Sequence, residues 1–449
     1  MGRLFGTDGI RGVAGTQLTC SDALKAGMAT ARVLSRSGKE RLRVLIGRDT
    51  RISGDMLSGC VSAGLCRMGA DVSDAGVIPT PALAYLVKSR DFDAAVMISA
   101  SHNPYEYNGI KLFWGDGRKP DEETEREIEE LMTVGERNSV LEKRSFFGRL
   151  SCYTEAADDY AQFLLGTAEE KLDGIKAAFD CANGSACATA AKIFPRTGCE
   201  CAFLHVSPDG ININRKCGST DTDALGAYVK ENRFDIGLAF DGDADRLIAV
   251  DENGRKVDGD KIIAICATQM KKNGRLKNNA AAVTVMSGFG LLRFLTENGI
   301  TPLVTQVGDK YVLEKMLETD TVFGGEQSGH IIFLDKATTG DGQLTALELM
   351  SVMKQTGKKL SELSALYEPC PQLHLSIPAN EVLKERLSAD EDILRAVKEA
   401  EERLGKQGRL LVRASGTEPL IRIMVEGNDE TLNQTIAKEI AGLIRRKGI

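Results

Sequence analysis

Long apolar runs are missing from this 449-residue chain: none approaches the roughly 18 residues that a membrane-spanning helix needs. A positive excess is missing too. Lys and Arg number 57 against 64 Asp and Glu, a net charge of -7, which argues against nucleic-acid binding by general electrostatics. A small anionic substrate stays open, because a few cations gathered in a cleft outweigh a distant negative surface. The opening Met1-Gly2-Arg3-Leu4-Phe5-Gly6 has no apolar signal core and no Ser or Thr for myristoylation. The expectation is a cytoplasmic protein with no membrane partner. No disulfide framework is legible in the eleven scattered Cys. Cys60, Cys66, Cys181, Cys187 and Cys266 lie in apolar stretches and read as reduced, buried thiols. Cys199 and Cys201 lack a second Cys pair or a His cluster, so they read as core residues rather than a metal clip. No short-period repeat or low-complexity segment is evident.

What is present is enough apolar material, 42% of residues, for several cores, and a length that predicts three or four domains. Helix and strand patterns alternate. Helical spacing covers 21–37, with Ser21 as N-cap, then 53–68 and 121–132; apolar runs at 42–46, 94–99 and 110–114 read as strands. After a charged passage at 136–149, a second unit opens with a helix at 154–165 and strands at 177–181 and 236–240, and ends near the turn Asp251-Glu252-Asn253-Gly254. A third carries strands at 281–285 and 303–307 and a helix at 344–355. Tyr367-Glu368-Pro369-Cys370-Pro371 reads as a linker. The remainder holds helices at 391–404 and 429–446 around strands at 410–412 and 421–425. The expected units are 1–151, 152–251, 252–366 and 371–449: three of α/β style and a smaller α+β unit.

Four loops carry chemistry. Asp241-Gly242-Asp243-Ala244-Asp245-Arg246 follows a buried strand. In extended backbone, side chains at i, i+2 and i+4 share a side, so three carboxylates converge on one hard cation such as Mg²⁺. An EF-hand reading places Glu252 at the twelfth position but finds Arg246 where its Gly is needed; a solvated acidic turn leaves the mutual repulsion unrelieved. Ser99-Ala100-Ser101-His102-Asn103-Pro104 also follows a buried strand and presents a hydroxyl, though His102 points away from it as a base, no G-x-S-x-G elbow is present, and a cap or Asx turn explains a lone Ser as well. Arg413-Ala414-Ser415-Gly416-Thr417-Glu418-Pro419, with Arg422 nearby, combines hydroxyls, a Gly and two guanidinium forks into a phosphate cradle. An ordinary polar turn leaves both Arg unexplained. Gly324-Gly325-Glu326-Gln327-Ser328-Gly329-His330 offers short polar groups suited to sugar hydroxyls, a signal weak by itself because Gly-rich turns are common.

One per unit and in this order, these loops resemble the α-D-phosphohexomutase family. The similarity extends to Phe5-Gly6-Thr7-Asp8-Gly9-Ile10-Arg11-Gly12, Gly47-Arg48-Asp49-Thr50-Arg51 and Asn108-Gly109-Ile110-Lys111. Details such as Val307-Gly308-Asp309 and Thr338-Thr339-Gly340-Asp341-Gly342 are most similar to members acting on glucosamine phosphates; Lys310 departs from an expected Arg, which forfeits a bidentate contact. The resemblance implies four domains around a central cleft, three similar α/β units with mixed sheets plus the smaller C-terminal unit. It implies phosphorylation of Ser101, and one Mg²⁺ held by Asp241, Asp243 and Asp245 and touching the phosphoserine. Lys111, Arg246 and His330 become the proton-transfer candidates, Lys111 foremost on the expectation that a cation-rich site lowers its pKa. Glu326 and Ser328 would grip the sugar, while Arg413, Ser415, Gly416, Thr417 and Arg422 would hold the phosphate that is not reacting. The implied reaction interconverts glucosamine 6-phosphate and glucosamine 1-phosphate through a 1,6-bisphosphate that turns over in the site. A mannose or glucose phosphate mutase and a non-catalytic sugar-phosphate sensor are the alternatives. The expected partner is a small sugar phosphate; a homodimer is compatible with the sequence.

Overall fold

The strands Ala94–Ile98 and Ile236–Phe240 carry no charged or hydroxyl side chain and are buried throughout, the signature of a sheet covered on both faces. Each is a central strand of a mixed sheet in a computed structural model that describes residues 4–6, 8–133, 146–387, 389–415 and 420–447. Contacts divide the chain into two compact units: residues 1–286 with 299–366, and residues 287–298 with 367–449.

The larger unit contains three sheets of seven, five and four strands. Their shared kernel is four strands long. In the first sheet Arg43–Arg48 pairs in parallel with Asp71–Val77 on one side and Ala94–Ile98 on the other, and Ala94–Ile98 pairs antiparallel with Tyr107–Trp114. Lys176–Asp180, Glu200–Leu204, Ile236–Phe240 and Leu247–Asp251 repeat that arrangement. So do Ala280–Thr284, Thr301–Thr305, Phe323–Gly325 and Ile331–Phe333. Spatial order is therefore second, first, third, fourth in all three. The Ser101, Asp241 and Glu326 loops each leave the carboxyl end of the third strand, the end at which open α/β sheets place their ligands. Sequence comparison within the chain shows no convincing repeat, because the equivalence resides in strand order rather than side chains.

Boundaries differ from the sequence reading by a few residues. The first helix is Cys20–Leu34, capped by Thr19 instead of Ser21: the Thr19 hydroxyl accepts from Asp22 N–H while the Asp22 carboxylate accepts from Thr19 N–H. Ser21 lies inside the first turn. Of the cysteines expected to be buried, Cys181 and Cys266 are, whereas Cys60, Cys66 and Cys187 are half-buried because their helical or turn positions lie at the margin of the core. Cys199 is buried and Cys201 half-buried, with sulfurs 3.2 Å apart. Among the described residues no helix is long and apolar enough to cross a membrane.

In the smaller unit, Gln372–Pro378, Leu420–Gly427 and Gly408–Ala414 form an antiparallel sheet with Leu420–Gly427 in the middle. Ile421, Ile423 and Val425 alternate toward a core shared with Ile436, Ile440 and Ile444 of the helix Glu430–Lys447 and with Ile393 of Glu391–Leu404. The helix Phe289–Glu297 belongs here, with Phe289 N–H donating to the Glu426 carboxylate.

Candidate active site

Ser101 sits at φ +53°, a left-handed conformation that a non-glycine residue adopts only where its surroundings hold it. The restraint is Arg51. Its guanidinium reaches Ser101 O at 2.9 Å, Asn103 O at 2.8 Å, Tyr107 O at 3.0 Å and Pro104 O, while Nε binds the Asp49 carboxylate at 2.9 Å. All five donors of the fork are thereby used. Asp49 also accepts from the Ser99 hydroxyl, which in turn accepts from Ser101 N–H. From a turn after the strand Glu200–Leu204, Asn214 adds a further donor to Ser101 O, at 2.9 Å. The backbone of Ser101 is thus held by protein contacts at both its N–H and its carbonyl.

The Ser101 hydroxyl donates to Asp241 Oδ2 at 2.5 Å. Asp241, Asp243 and Asp245 are all buried, and oxygens of the three lie within 4.8 Å of one another. Burial, then the charges of Asp245 and Asp243, push the Asp241 carboxyl well above its ordinary range. Burial acts on Asp245 in the same direction, but Lys111, His330 and Arg246 overcome it and hold that carboxyl low. Asp243 Oδ1 and Asp245 Oδ1 are buried without a hydrogen-bond partner. Such orphaned oxygens, all hard donors facing one point, fit a divalent cation of the magnesium type.

Close backbone approach explains the glycines here. A Cβ on Gly242 would stand 2.5 Å from Ser101 O, and one on Gly184 would stand 2.4 Å from Gly242 O. Three loops meet at van der Waals limits, leaving no room for any side chain. Thr80, at the start of the helix Thr80–Ser89, donates its hydroxyl to Asp243 Oδ2 and its N–H to Asp243 O.

Lys111, on the strand Tyr107–Trp114, is almost fully buried and lies 2.7 Å from Asp243, 2.9 Å from Asp8 and 3.5 Å from Asp245. Burial alone would lower its pKa; the three carboxylates win and hold the amine well above its usual value. This corrects the expectation of a lowered pKa, since the groups around Lys111 are mainly acidic. Asp8, absent from the sequence reading as a site residue, is pinned below its usual range against burial by Lys111, Lys119 and Arg11. Lys119 bridges Asp8, at 2.5 Å, and Asp309.

Beside this network lies a cavity of about 380 Å³ whose wall includes Asp8, Arg11, His102, Arg246, Glu326 and His330. Ser101 itself is buried and does not line the cavity, whereas His102 and Asp245 do. His102 Nδ1 is 3.4 Å from the Ser101 hydroxyl; burial, with Arg246 and Arg11 nearby, pushes the imidazole down to about 4, so it stays neutral near pH 7. His330 lies 3.7 Å from Asp245 and from Asp309, and these acids raise its pKa despite burial. Glu326 accepts from Gly308 N–H and from the exposed Ser328 hydroxyl. Lys310 does not line this cavity; it pairs with Glu125 at 3.7 Å.

In the smaller unit Arg413 and Arg422 are directly paired across neighbouring antiparallel strands, and so share one face of the sheet. Ser415 follows, buried, with its N–H bonded to Leu420 O. Gly416 and Thr417 lie outside the described residues. Missed by the sequence reading as site residues were Asp8, Arg11, Thr80, Lys119 and Asn214. Asp8 and Arg11 lie in a segment that carried the family resemblance, whereas Thr80, Lys119 and Asn214 are single polar residues in stretches with no local signal.

Four family models match in chain order: phosphoglucomutase/phosphomannomutase alpha/beta/alpha domain I over residues 2–139, domain II over 153–254, domain III over 258–370 and the C-terminal domain over 379–443. Among curated relatives, the phosphoglucosamine mutase of Acetivibrio thermocellus is 47% identical and that of Caldicellulosiruptor saccharolyticus 49%, each covering 100% of both chains. Solved structures agree on the fold. A phosphoglucomutase/phosphomannomutase family protein from Burkholderia thailandensis matches with TM-score 0.84 at 24% identity, covering 100% of this chain and 98% of that one. The Aspergillus fumigatus N-acetylphosphoglucosamine mutase, in complex with GlcNAc-6P and magnesium, matches with TM-score 0.70 at 17% identity, covering 99% and 96%. With all four family domains present in order and near-half identity over full length, the chain belongs to the phosphoglucomutase/phosphomannomutase family.

Proposed function

We propose that this chain interconverts glucosamine 6-phosphate and glucosamine 1-phosphate, with Ser101 as the phosphate carrier. The observation that carries the reading is the Ser101 hydroxyl bonded to Asp241 inside a buried carboxylate triad, on a chain nearly half identical to phosphoglucosamine mutases along its full length. Asp241, Asp243, Asp245 and the Ser101 phosphate would hold Mg²⁺, which supplies charge neutralisation on the transferring phosphoryl group.

The protein's own residues do the rest. Arg51 and Asn214 fix the carbonyl of Ser101, so the P–O bond to the serine keeps one direction while the sugar changes orientation. The substrate hydroxyl attacks phosphorus, the bond to Ser101 Oγ breaks, and the hydroxyl proton passes to His330, the imidazole among the Lys111, Arg246 and His330 candidates, while Ser101 Oγ takes up a proton to return to a hydroxyl; Lys111, held protonated by Asp243, Asp8 and Asp245, can serve as a donor and not as the acceptor. Transfer of the second phosphoryl group back to Ser101, after the bisphosphate has turned over, completes the cycle with no net change in phosphate. Glu326 and Ser328 are assigned to sugar hydroxyls. Arg413, Ser415, Gly416, Thr417 and Arg422 are assigned to the distal phosphate, which two guanidinium forks on one sheet face suit. Turnover of glucosamine 6-phosphate should exceed that of mannose and glucose 6-phosphates. A clear preference for either of the latter would replace the hexosamine assignment, and no turnover of any would leave the sensor reading.

A further inference from the structure

A second cluster of potential ligands lies apart from the carboxylate triad and takes no part in the reaction proposed above. Asp180 ends the strand Lys176–Asp180, His205 follows the parallel neighbour Glu200–Leu204, and Cys217 precedes the turn at Gly218–Thr220. Strand register sets Asp180 beside Leu204 and so puts Asp180 and His205 at the carboxyl end of one sheet, and Cys217 is tied in by the next residue, Gly218, whose N–H donates to Asp180 Oδ2. Their ligand atoms lie within 4.8 Å of one another. Asp180 and Cys217 are completely buried.

The contacts within the cluster are incomplete. His205 Nδ1 is buried and 3.0 Å from Asp180 Oδ1, an ion-pair contact rather than a well-aligned hydrogen bond, and it has no further partner among the described residues. The carboxylate is already oriented, accepting from Ala182 N–H through Oδ1 and from Gly218 N–H through Oδ2, each at 2.9 Å, and both oxygens retain a lone pair. Backbone support of this kind is what ligating carboxylates receive. The His205 side chain is 29% exposed, which leaves an entry path.

We propose that Asp180, His205 and Cys217 form a binding site for a thiophilic divalent cation of the zinc class. One nitrogen, one sulfur and one oxygen donor suit zinc and disfavour magnesium. Carboxylate and thiolate together neutralise the 2+ charge. On binding, the Cys217 thiol releases its proton to solvent and the S–metal bond takes its place; no electrons are transferred. The site would tie together both ends of the 205–217 segment, which includes Asn214, the donor to Ser101 O. Occupancy would therefore stiffen the support of the serine loop without touching substrate.

Cobalt(II) tests the site, because only a thiolate ligand adds a near-ultraviolet charge-transfer band and the all-oxygen triad cannot. The full chain, saturated with Mg²⁺, is titrated with Co²⁺. The expected result is one such band, displaced by Zn²⁺, absent in Cys217→Ser, shifted to at least tenfold higher Co²⁺ in His205→Ala, and unchanged in Cys199→Ser/Cys201→Ser. No band in the wild-type chain overturns the proposal, as does a band that survives Cys217→Ser or disappears with the Cys199 and Cys201 changes. Should Cys217→Ser fail to give a native circular-dichroism spectrum, His205→Ala, at a partly exposed position, decides: an unshifted titration overturns the site.

Discussion

At the scale of single residues, burial decides how each carboxylate behaves. Asp341 caps the helix Gly342–Thr356 by accepting from Leu344 N–H, and it accepts the Tyr160 hydroxyl at 2.7 Å. Desolvation nonetheless raises its pKa from 3.8 to about 6. The unfolded chain releases this proton first, so the folded state binds more protons between pH about 4 and about 6, and the stability held below that window is lost as pH rises through it. Two pKa units correspond to about 3 kcal/mol. Asp341→Asn retains a capping oxygen and removes the titration; urea midpoints measured from pH 4 to 7 should rise relative to wild type toward pH 7, and an unchanged difference across that range would refute the burial argument. Ser101 supplies the second residue-scale prediction. Intact-mass measurement should show a phosphorylated fraction in the purified chain that vanishes in Ser101→Ala together with turnover, while the thermal midpoint stays within a few degrees.

At the scale of elements, the Ser101, Asp241 and Glu326 loops follow the third strand of the same four-strand kernel, and helices and glycines set how closely they meet. The helix Thr80–Ser89 delivers both Thr80 donors to Asp243. Thr80→Val keeps the shape and deletes one of them. The concentration of Mg²⁺ for half-maximal activity should rise about 10–100-fold, in line with the loss of a group that orients a metal ligand; an unchanged metal requirement would mean that Asp243 needs no such support. Gly242→Ala forces a Cβ against the Ser101 carbonyl, whose backbone cannot yield without moving the serine. Displacement by about 1 Å costs on the order of 100-fold in rate. Single-turnover transfer from Ser101 measures it, and wild-type rates would show that the loops have slack.

For the whole molecule, the proposed function draws on both compact units. If Arg413 and Arg422 hold the distal phosphate, Arg422→Ala removes a charge-assisted hydrogen bond worth about 1.5–3 kcal/mol, and KM for glucosamine 6-phosphate should rise about 10–100-fold. An unchanged KM with lowered kcat would instead place that arginine with the reacting phosphate. Much of this organisation is legible without coordinates, since buried strands such as 94–98 and 236–240 announce themselves by unbroken apolarity and the Asp241-Gly242-Asp243-Ala244-Asp245 spacing already implies convergence on a cation. The strand order repeated three times is not legible, because hydrogen-bond pairing between distant segments leaves no local pattern. Nor are the partners of the key groups: that Lys111 faces acids rather than cations, that Arg51 spends four of its five donors on carbonyls of residues 101, 103, 104 and 107, and that Thr80 and Asn214 reach loops of another sheet. Local sequence determined which chemical groups each of these loops presents, because propensity and side-chain spacing act over a few residues. Tertiary structure alone decided the charge state and aim of those groups, because electrostatic fields and close backbone contacts depend on what folding brings alongside.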